Sequence, residues 1–286
     1  MPGHMVAAMT AYPYLGCTGG PYEVRTSWGV AKDVLCIGKE STFEFIEDVL
    51  TEVLELFPSQ FIHIGGDEAP RDRWAACPQC QARIKAEGLE AKDGHSAEDR
   101  LQSYFTTRVE KFLNAHGRRL IGWGEILEGG LAPDATVMSW KGVTAGIKAA
   151  QQNHDVVMSP NSHAYFDRYQ TKDTENEPDA FGGFVPVDVV YSFEPLAKEL
   201  TAEQHKHILG VQANVWTEYI PNFKQVEYMS LPRMAAISEV MWTNPERKNY
   251  QKFLTRLPRL IDIYEPLDYK YATHIFDVPT KAPAKK

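Results

Sequence analysis

The chain has 286 residues, 43% of them hydrophobic, which is enough for a buried core in one or two domains or in a single barrel. Its formal net charge is −8 with both signs interspersed, which argues against nonspecific nucleic-acid binding through a basic face. No apolar run approaches membrane-spanning length, and Met1-Pro2-Gly3-His4 lacks the charged and apolar regions of a signal peptide, so the sequence reads as a cytosolic protein or as one whose natural N-terminus lies upstream.

Thr18 to Cys36 is rich in Gly, aromatic and polar residues and reads as an irregular surface loop. Ser41 with Glu44 forms a predicted capping box. The helix after it places Phe43, Ile46, Val49, Leu50, Val53, Leu54 and Phe57 toward one face, and Pro58 ends it. A strand at Phe61–Ile64 follows. Arg71 to Leu89 reads as a loop with a short helix. Ser96 opens a second long amphipathic helix carrying Leu101, Tyr104, Phe105, Val109, Phe112 and Leu113, closed by Gly117. Strands are predicted at Leu120–Trp123 and Thr136–Trp140, a helix around Val143–Gln152, and a strand at Asp155–Ser159. Arg168 to Pro178 reads as a polar loop, and Thr201 with Gln204 as another capping box. Leu209–Trp216 is the last predicted strand. Helices at about Leu231–Trp242 and Tyr250–Tyr264 finish the domain, and the Pro/Ala/Lys-rich tail Pro279–Lys286 reads as disordered. There is no internal repeat.

Strands alternating with helices predict a mainly parallel α/β sheet. Five strands are counted, with polar or aromatic residues at their C-terminal ends: Asp67-Glu68, Trp123 with Glu125, Trp140, Ser159 with Asn161, and Trp216 with Glu218. In a TIM (β/α)8 barrel that end holds the active site, although a barrel needs eight strands. Among these positions His63-Ile64-Gly65-Gly66-Asp67-Glu68 is the most informative. Neighbouring residues on a regular strand point to opposite faces, so two carboxylates meant for one pocket need the strand to break first. Two glycines permit that break. One carboxyl can then be held protonated by its neighbour's charge and by burial while the other stays ionised, a division suited to glycoside cleavage. A bare Asp-Glu pair reads more readily as a solvated loop ahead of a helix; the strand and the glycines make a pocket an equal reading. His63 reads as a structural strand residue.

Cys77-Pro78-Gln79-Cys80 has the spacing of half a zinc site, but no second pair or nearby histidine completes it in sequence. A local disulfide or two plain thiols is the expected state, with no metal. Cys17 and Cys36 flank the loop and are close enough in sequence to be bridged in an oxidising compartment.

The motifs together resemble the glycoside hydrolase family 20 β-N-acetylhexosaminidases, specifically the catalytic barrel of Bacteroidetes-type members. The similarity runs to about Val278, so residues 1–278 are expected to form a partial catalytic barrel. It is carried by Met1-Pro2-Gly3-His4, the segment from Ala11-Tyr12-Pro13 to Gly19-Gly20-Pro21, the His-x-Gly-Gly-Asp-Glu signature at 63–68, Gly122-Trp123-Gly124-Glu125, Ser139-Trp140, Tyr165-Phe166-Asp167 and Trp216-Thr217-Glu218. The resemblance implies hydrolysis of terminal β-linked N-acetylglucosamine or N-acetylgalactosamine with retention. The substrate's own acetamido oxygen is the nucleophile, an exception to the two-carboxylate scheme.

The resemblance implies a role for each matching position. Glu68 is the general acid and later base, and Asp67 holds the acetamido N–H. Tyr165 binds the acetamido oxygen. Trp123, Trp140 and Trp216 wall the sugar, Asp167 and Glu218 take its hydroxyls, and His4 adjusts the acid's ionisation. No metal and no cofactor is implied; the partners are N-acetylhexosamine-containing glycans. Gly124 departs from the family's Gly-Trp-Asp-Glu, which removes a supporting carboxylate. Against the family pattern the chain starts at the end of the third strand and lacks the sugar-clamping arginine and the aspartate partnering His4. It is therefore expected to be a fragment, inactive or self-associated alone. Relatives usually carry export signals, which implies a periplasmic, secreted or cell-surface location. Two competing readings are a non-catalytic amino-sugar-binding relic and a cysteine-based redox or zinc module on Cys77 and Cys80.

Overall fold

The computed structural model describes residues 1–276. The predicted tail at Pro279–Lys286 and the domain end at Val278 lie outside the described residues. The chain divides into two compact units, one of Met1–Ser139 with Lys148–Val156, the other of Trp140–Ile147 with Val157 onward.

The first unit holds helices α1 (Val6–Ala11) and α2 (Glu40–Leu56), strand β1 (Phe61–His63), helices α3 (Asp72–Ala76), α4 (Pro78–Ala86) and α5 (Ala97–Ala115), and strands β2 (Arg119–Trp123) and β3 (Thr136–Ser139). The three strands pair in parallel, with Phe61 opposite Arg119 and Trp123 opposite Met138. Ile62, Leu120, Ile121 and Val137 are buried, the near-continuous apolar run expected of parallel strands covered on both faces. Ser96 caps α5 through a full capping box with Asp99, and Gly117 follows its end at φ 70°. Phe43 on α2 packs against Phe105 and Tyr104 of α5, and the Arg108 guanidinium lies 3.7 Å above the Phe43 ring. Arg108 and Arg83 both pair with Glu40.

Three expectations for this unit are corrected. The capping box at Ser41 and Glu44 does not form: α2 starts earlier, at Glu40, and the preceding Lys39 donates from its ammonium to the carbonyls of Tyr14 and Gly16. Phe43, Ile46 and Leu50 are buried, but Val49 and Phe57 are exposed. Val49 lies about 100° around the helix from Leu50, which turns it toward the solvent edge of the apolar face. Finally, the cysteines are not two separate local pairs. All four are free thiols whose sulfurs gather in one cluster.

Helix α6 (Thr144–Gln151) and strand β4 (Val156–Met158) are each divided between the units. The Val137 N–H donates to the Asp155 carbonyl at 2.9 Å, just ahead of β4. The second unit continues with α7 (Val187–Ser192), α8 (Ala202–His205), β5 (Ile208–Val211), α9 (Phe223–Ser230), α10 (Arg233–Trp242), α11 (Tyr250–Arg256) and α12 (Ile261–Tyr264). Thr201 and Gln204 form their capping box, although the helix it opens has a single turn. Strand β5 ends at Val211 rather than Trp216. Beyond it, Asn214 leaves the ladder: its N–H donates to the Ala164 carbonyl at 2.8 Å, and its carbonyl accepts from Phe166 N–H at 2.7 Å.

The five parallel strands run in the order β1-β2-β3-β4-β5, matching the five counted in the sequence, and among the described residues the sheet does not close into a barrel. No described helix is long and apolar enough to cross a membrane.

Candidate active site

In the first unit the ladder outlasts β1 by two residues. Ile64 donates to the Ile121 carbonyl at 2.9 Å, and Gly65 accepts from the Trp123 N–H at 2.7 Å. The chain then turns through Gly65 at φ 83° and Gly66 at φ 97°, angles that side-chain-bearing residues rarely adopt. A methyl on Gly66 would lie 2.5 Å from Ile126 Cγ2, so the position also needs the missing side chain for space. The Gly66 carbonyl accepts from Nε2 of the buried Gln102 on α5 at 2.6 Å. Downstream, Arg71 donates to the Ala69 carbonyl and to the carboxylates of Asp99 at 2.8 Å and Glu128 at 2.7 Å. The turn is thus held from both sides.

The turn delivers Asp67 and Glu68 to one place. His4 Nε2 lies 3.2 Å from Asp67 Oδ2 and 3.5 Å from Glu68 Oε2, so the histidine meets Asp67 more closely than the acid it was expected to adjust. The hydrogen bond with Asp67 raises the His4 pKa above its ordinary value, against partial burial. Burial alone would push Asp67 upward, but the hydrogen bond and charge of His4 outweigh it and hold the carboxyl below its usual range. His4 at φ 58° and Glu68 at φ 47° both occupy the left-handed region, a local strain that collects at functional sites. These three side chains are close enough to share one proton or one small cation.

His63 closes β1 and supports the turn that follows. Its Nδ1 accepts from the Gly65 N–H at 3.0 Å, and its ring packs edge-on against Trp123 at 4.8 Å between centroids. One side of His63 stays open to solvent, yet desolvation by the packed surroundings of its ring lowers its pKa to about 4. The ring is therefore neutral at pH 7, as an acceptor at Nδ1 requires.

The second unit assembles the other predicted residues. Tyr165 is buried; Trp140 stacks on it at 6.3 Å and 12° between planes, and Trp216 tilts against it at 6.1 Å. Asn214, bridged to Tyr165, also donates to Ser159 Oγ at 2.7 Å and fixes the chain under the aromatic group. Asp167 is 4% exposed, and its Oδ1 has no hydrogen-bond partner among the described residues. Burial raises its pKa to about 6, partly offset by local hydrogen bonding and nearby arginines and reinforced by the charge of Glu218. Glu218 itself is exposed. Fully buried Arg233 on α10 braces this segment by donating to the carbonyls of Phe166, Arg168, Val185 and Met229. Burial lowers its pKa to about 9, so it remains charged at pH 7.

The structure therefore brings His4, Asp67 and Glu68 together at the end of β1, with Trp123 against His63, and brings Trp140, Tyr165 and Trp216 together in the second unit, with Asp167 and Glu218 electrostatically coupled. Sequence reasoning missed Gln102, Arg71 and Arg233. Gln102 carried a signal, a polar residue beside Leu101 on a helix face that must be buried. Arg71 and Arg233 carried none, because their partners are mostly remote in sequence.

Residues 1–245 match the glycosyl hydrolase family 20 catalytic domain. The chain is 51% identical over 258 residues to a β-hexosaminidase from Porphyromonas gingivalis, covering 90% of this chain and 32% of the relative. Among solved structures it is similar to a β-N-acetylhexosaminidase at a TM-score of 0.83 and 25% identity, covering 99% of this chain and 59% of that one. It is also similar to an exo β-N-acetylglucosaminidase from Vibrio harveyi, solved with N-acetylglucosamine, at a TM-score of 0.79 and 28% identity over 95% of this chain and 42% of that one. The chain thus spans about a third of the length of the curated relative it matches.

Proposed function

Because the chain belongs to glycosyl hydrolase family 20, we propose that it supplies the acid and acetamido-binding chemistry for hydrolysis of terminal, non-reducing β-linked N-acetylglucosamine or N-acetylgalactosamine. The observation that carries this reading is the juxtaposition of Asp67, Glu68 and His4 beyond a glycine-broken strand. The reaction needs one carboxylate kept charged and one carboxyl that gives and retakes a proton.

Asp67 accepts from the substrate's acetamido N–H and turns the acetamido oxygen toward the anomeric carbon. Glu68 gives its proton to the glycosidic oxygen as the C1–O bond breaks and the acetamido oxygen bonds to C1. The positive charge of the oxazolinium ring gathers next to Asp67, which His4 keeps ionised, so stabilisation grows as the charge develops. Water then attacks C1, Glu68 takes its proton, and the ring opens to the acetamide. Two inversions give net retention.

In the same reading Tyr165 donates to the acetamido oxygen. Trp123, Trp140 and Trp216 offer aromatic faces to the sugar and the acetamido methyl. Asp167, with an unpartnered oxygen, and Glu218 accept from sugar hydroxyls; a buried acceptor of this kind rejects ligands that leave it unpaired. The partners are glycans ending in N-acetylhexosamine, and a periplasmic, secreted or cell-surface location is proposed from the family resemblance alone.

The test is leaving-group dependence. Glu68→Gln should cripple turnover of a natural disaccharide yet cost far less on an aryl N-acetylglucosaminide with a very acidic phenol, which needs little protonation. Equal losses on both would refute the role of Glu68.

A further inference from the structure

Outside the site just described, the densest cluster of reactive side chains is sulfur. Cys36 Sγ lies 3.7 Å from Cys77 Sγ and 3.6 Å from Cys80 Sγ, and Cys17 Sγ lies 3.8 Å from Cys80 Sγ. All four sulfurs fall within 4.8 Å of one another. Three of the cysteines are buried, and Cys17 is half-buried. A disulfide would draw its two sulfurs to about 2.0 Å. A tetrahedron of thiolates with metal–sulfur bonds of about 2.3 Å has edges of about 3.8 Å. The three measured edges fit the tetrahedron.

The backbone around the cluster is built for close approach. Cys77 directly precedes α4, and Cys80 lies in its first turn behind Pro78. A methyl on Gly38 would sit 2.2 Å from the Gln79 carbonyl carbon and 2.5 Å from the Cys80 nitrogen, so only glycine lets the Cys36 segment lie on that turn. The Gly38 backbone hydrogen-bonds to the sulfurs of both Cys36 and Cys80. Donors of this kind orient and stabilise metal-bound thiolates. Cys17 is tied to the same frame by the antiparallel bridge between Gly16 and Leu35 and by the Cys36 N–H bond to the Leu15 carbonyl at 2.8 Å. Trp74 Nε1 donates to the Leu35 carbonyl at 2.8 Å, and Thr42 Oγ1 to the Cys36 carbonyl at 2.8 Å. The Lys39 ammonium is held on the Gly16 carbonyl at 2.9 Å, one residue before Cys17.

We propose that Cys17, Cys36, Cys77 and Cys80 bind one zinc ion as a closed tetrathiolate site. Four thiols lose four protons and one Zn²⁺ is taken up, leaving a complex of net charge −2 with no oxidation or reduction. Four protein ligands leave no open position, so the site is structural. It staples the loop of residues 18–35 to the start of α4, and that helix lies only a short way along the chain from Asp67 and Glu68. The metal therefore fixes the outgoing side of the catalytic turn.

The test uses the full chain, purified without chelator. Elemental analysis should give one zinc per chain. Replacing zinc with cobalt should give the visible bands and near-ultraviolet charge transfer of tetrahedral Co²⁺-thiolate. Titration with an organomercurial should release one zinc as four thiols react. Cys80→Ser and Cys17→Ser should each lose most of the metal, and Cys17→His, which keeps a ligand, should recover it. If the serine variants fail to fold, cobalt titration of the unaltered chain still decides. Metal-free chain with four freely reactive thiols, a mass four hydrogens lower from two disulfides, or stoichiometric iron would each overturn the zinc assignment. None of these readouts depends on glycosidase activity.

Discussion

Gly66→Ala tests whether the broken strand end holds the catalytic geometry. The substitution meets two obstacles. At φ 97° an L-residue carries backbone strain of about 1–3 kcal/mol. The new methyl would also sit 2.5 Å from Ile126 Cγ2, against an ordinary carbon–carbon contact of about 3.5–4.0 Å. Ile126 is fully buried, so relieving that overlap is overpacking, which costs about 1–3 kcal/mol. The sum, about 2–6 kcal/mol, should appear as a lower urea midpoint at unchanged slope. Gly142→Ala separates the two parts, because Gly142 has the same φ of 97° and an added methyl there meets nothing within 4 Å. It should cost only the backbone share. Ile126→Ala in the Gly66→Ala background should be milder than Ile126→Ala alone, because the new methyl fills part of the cavity. Displacing Asp67 and Glu68 by about 1 Å should lower kcat roughly 10²-fold. Equal destabilisation by Gly66→Ala and Gly142→Ala, or strict additivity with Ile126→Ala, would refute the packing argument.

Replacing His4 with glutamine should remove the hydrogen bond and charge that depress the Asp67 pKa, so the acid limb of kcat/KM should move to higher pH; an unmoved limb would separate His4 from Asp67 in function. The same pair should stabilise the fold most between pH about 4 and 6.5, the ordinary values of the two groups. Stability should fall as pH drops through the lowered Asp67 pKa and as pH rises through the raised His4 pKa, which urea midpoints across pH would reveal. Asp167 has its pKa raised to about 6, so it destabilises the fold as pH climbs through 4 to 6 and beyond, by on the order of 2–3 kcal/mol at pH 7. Asp167→Asn should remove that loss and weaken sugar binding in a calorimetric titration; a less stable variant would contradict it. Arg233→Met should strand several buried carbonyls and cost about 3 kcal/mol or more in thermal or urea unfolding, and a neutral substitution would show that those carbonyls find other donors.

The parts of the protein readable from sequence were those whose partners are local. Strand alternation, the helix start at Ser96, the capping box at Thr201 and the Gly-Gly break each involve residues a few positions apart. The Ser41 box failed because Lys39, bonded to the distant carbonyls of Tyr14 and Gly16, lets α2 begin earlier. Strand β5 was overextended because residues after Val211 alternate like a strand, whereas Asn214 is drawn off by Ala164 and Phe166. The sulfur cluster was invisible as a unit, since Cys17–Cys36 and Cys77–Cys80 are two chain segments joined only by the close packing at Gly38. The aromatic group around Tyr165 was expected only through the family resemblance, and its support by Arg233 was not expected at all.

The left-handed backbone at His4 and Glu68 also bears on how this sequence can change. Glycine or asparagine would relax either position, so a search for thermal stability alone should recover such replacements at 4 and 68. A variant population drifting without selection for turnover would lose the histidine and the glutamate early. If the proposed roles of His4 and Glu68 hold, activity and stability pull in opposite directions at these two positions.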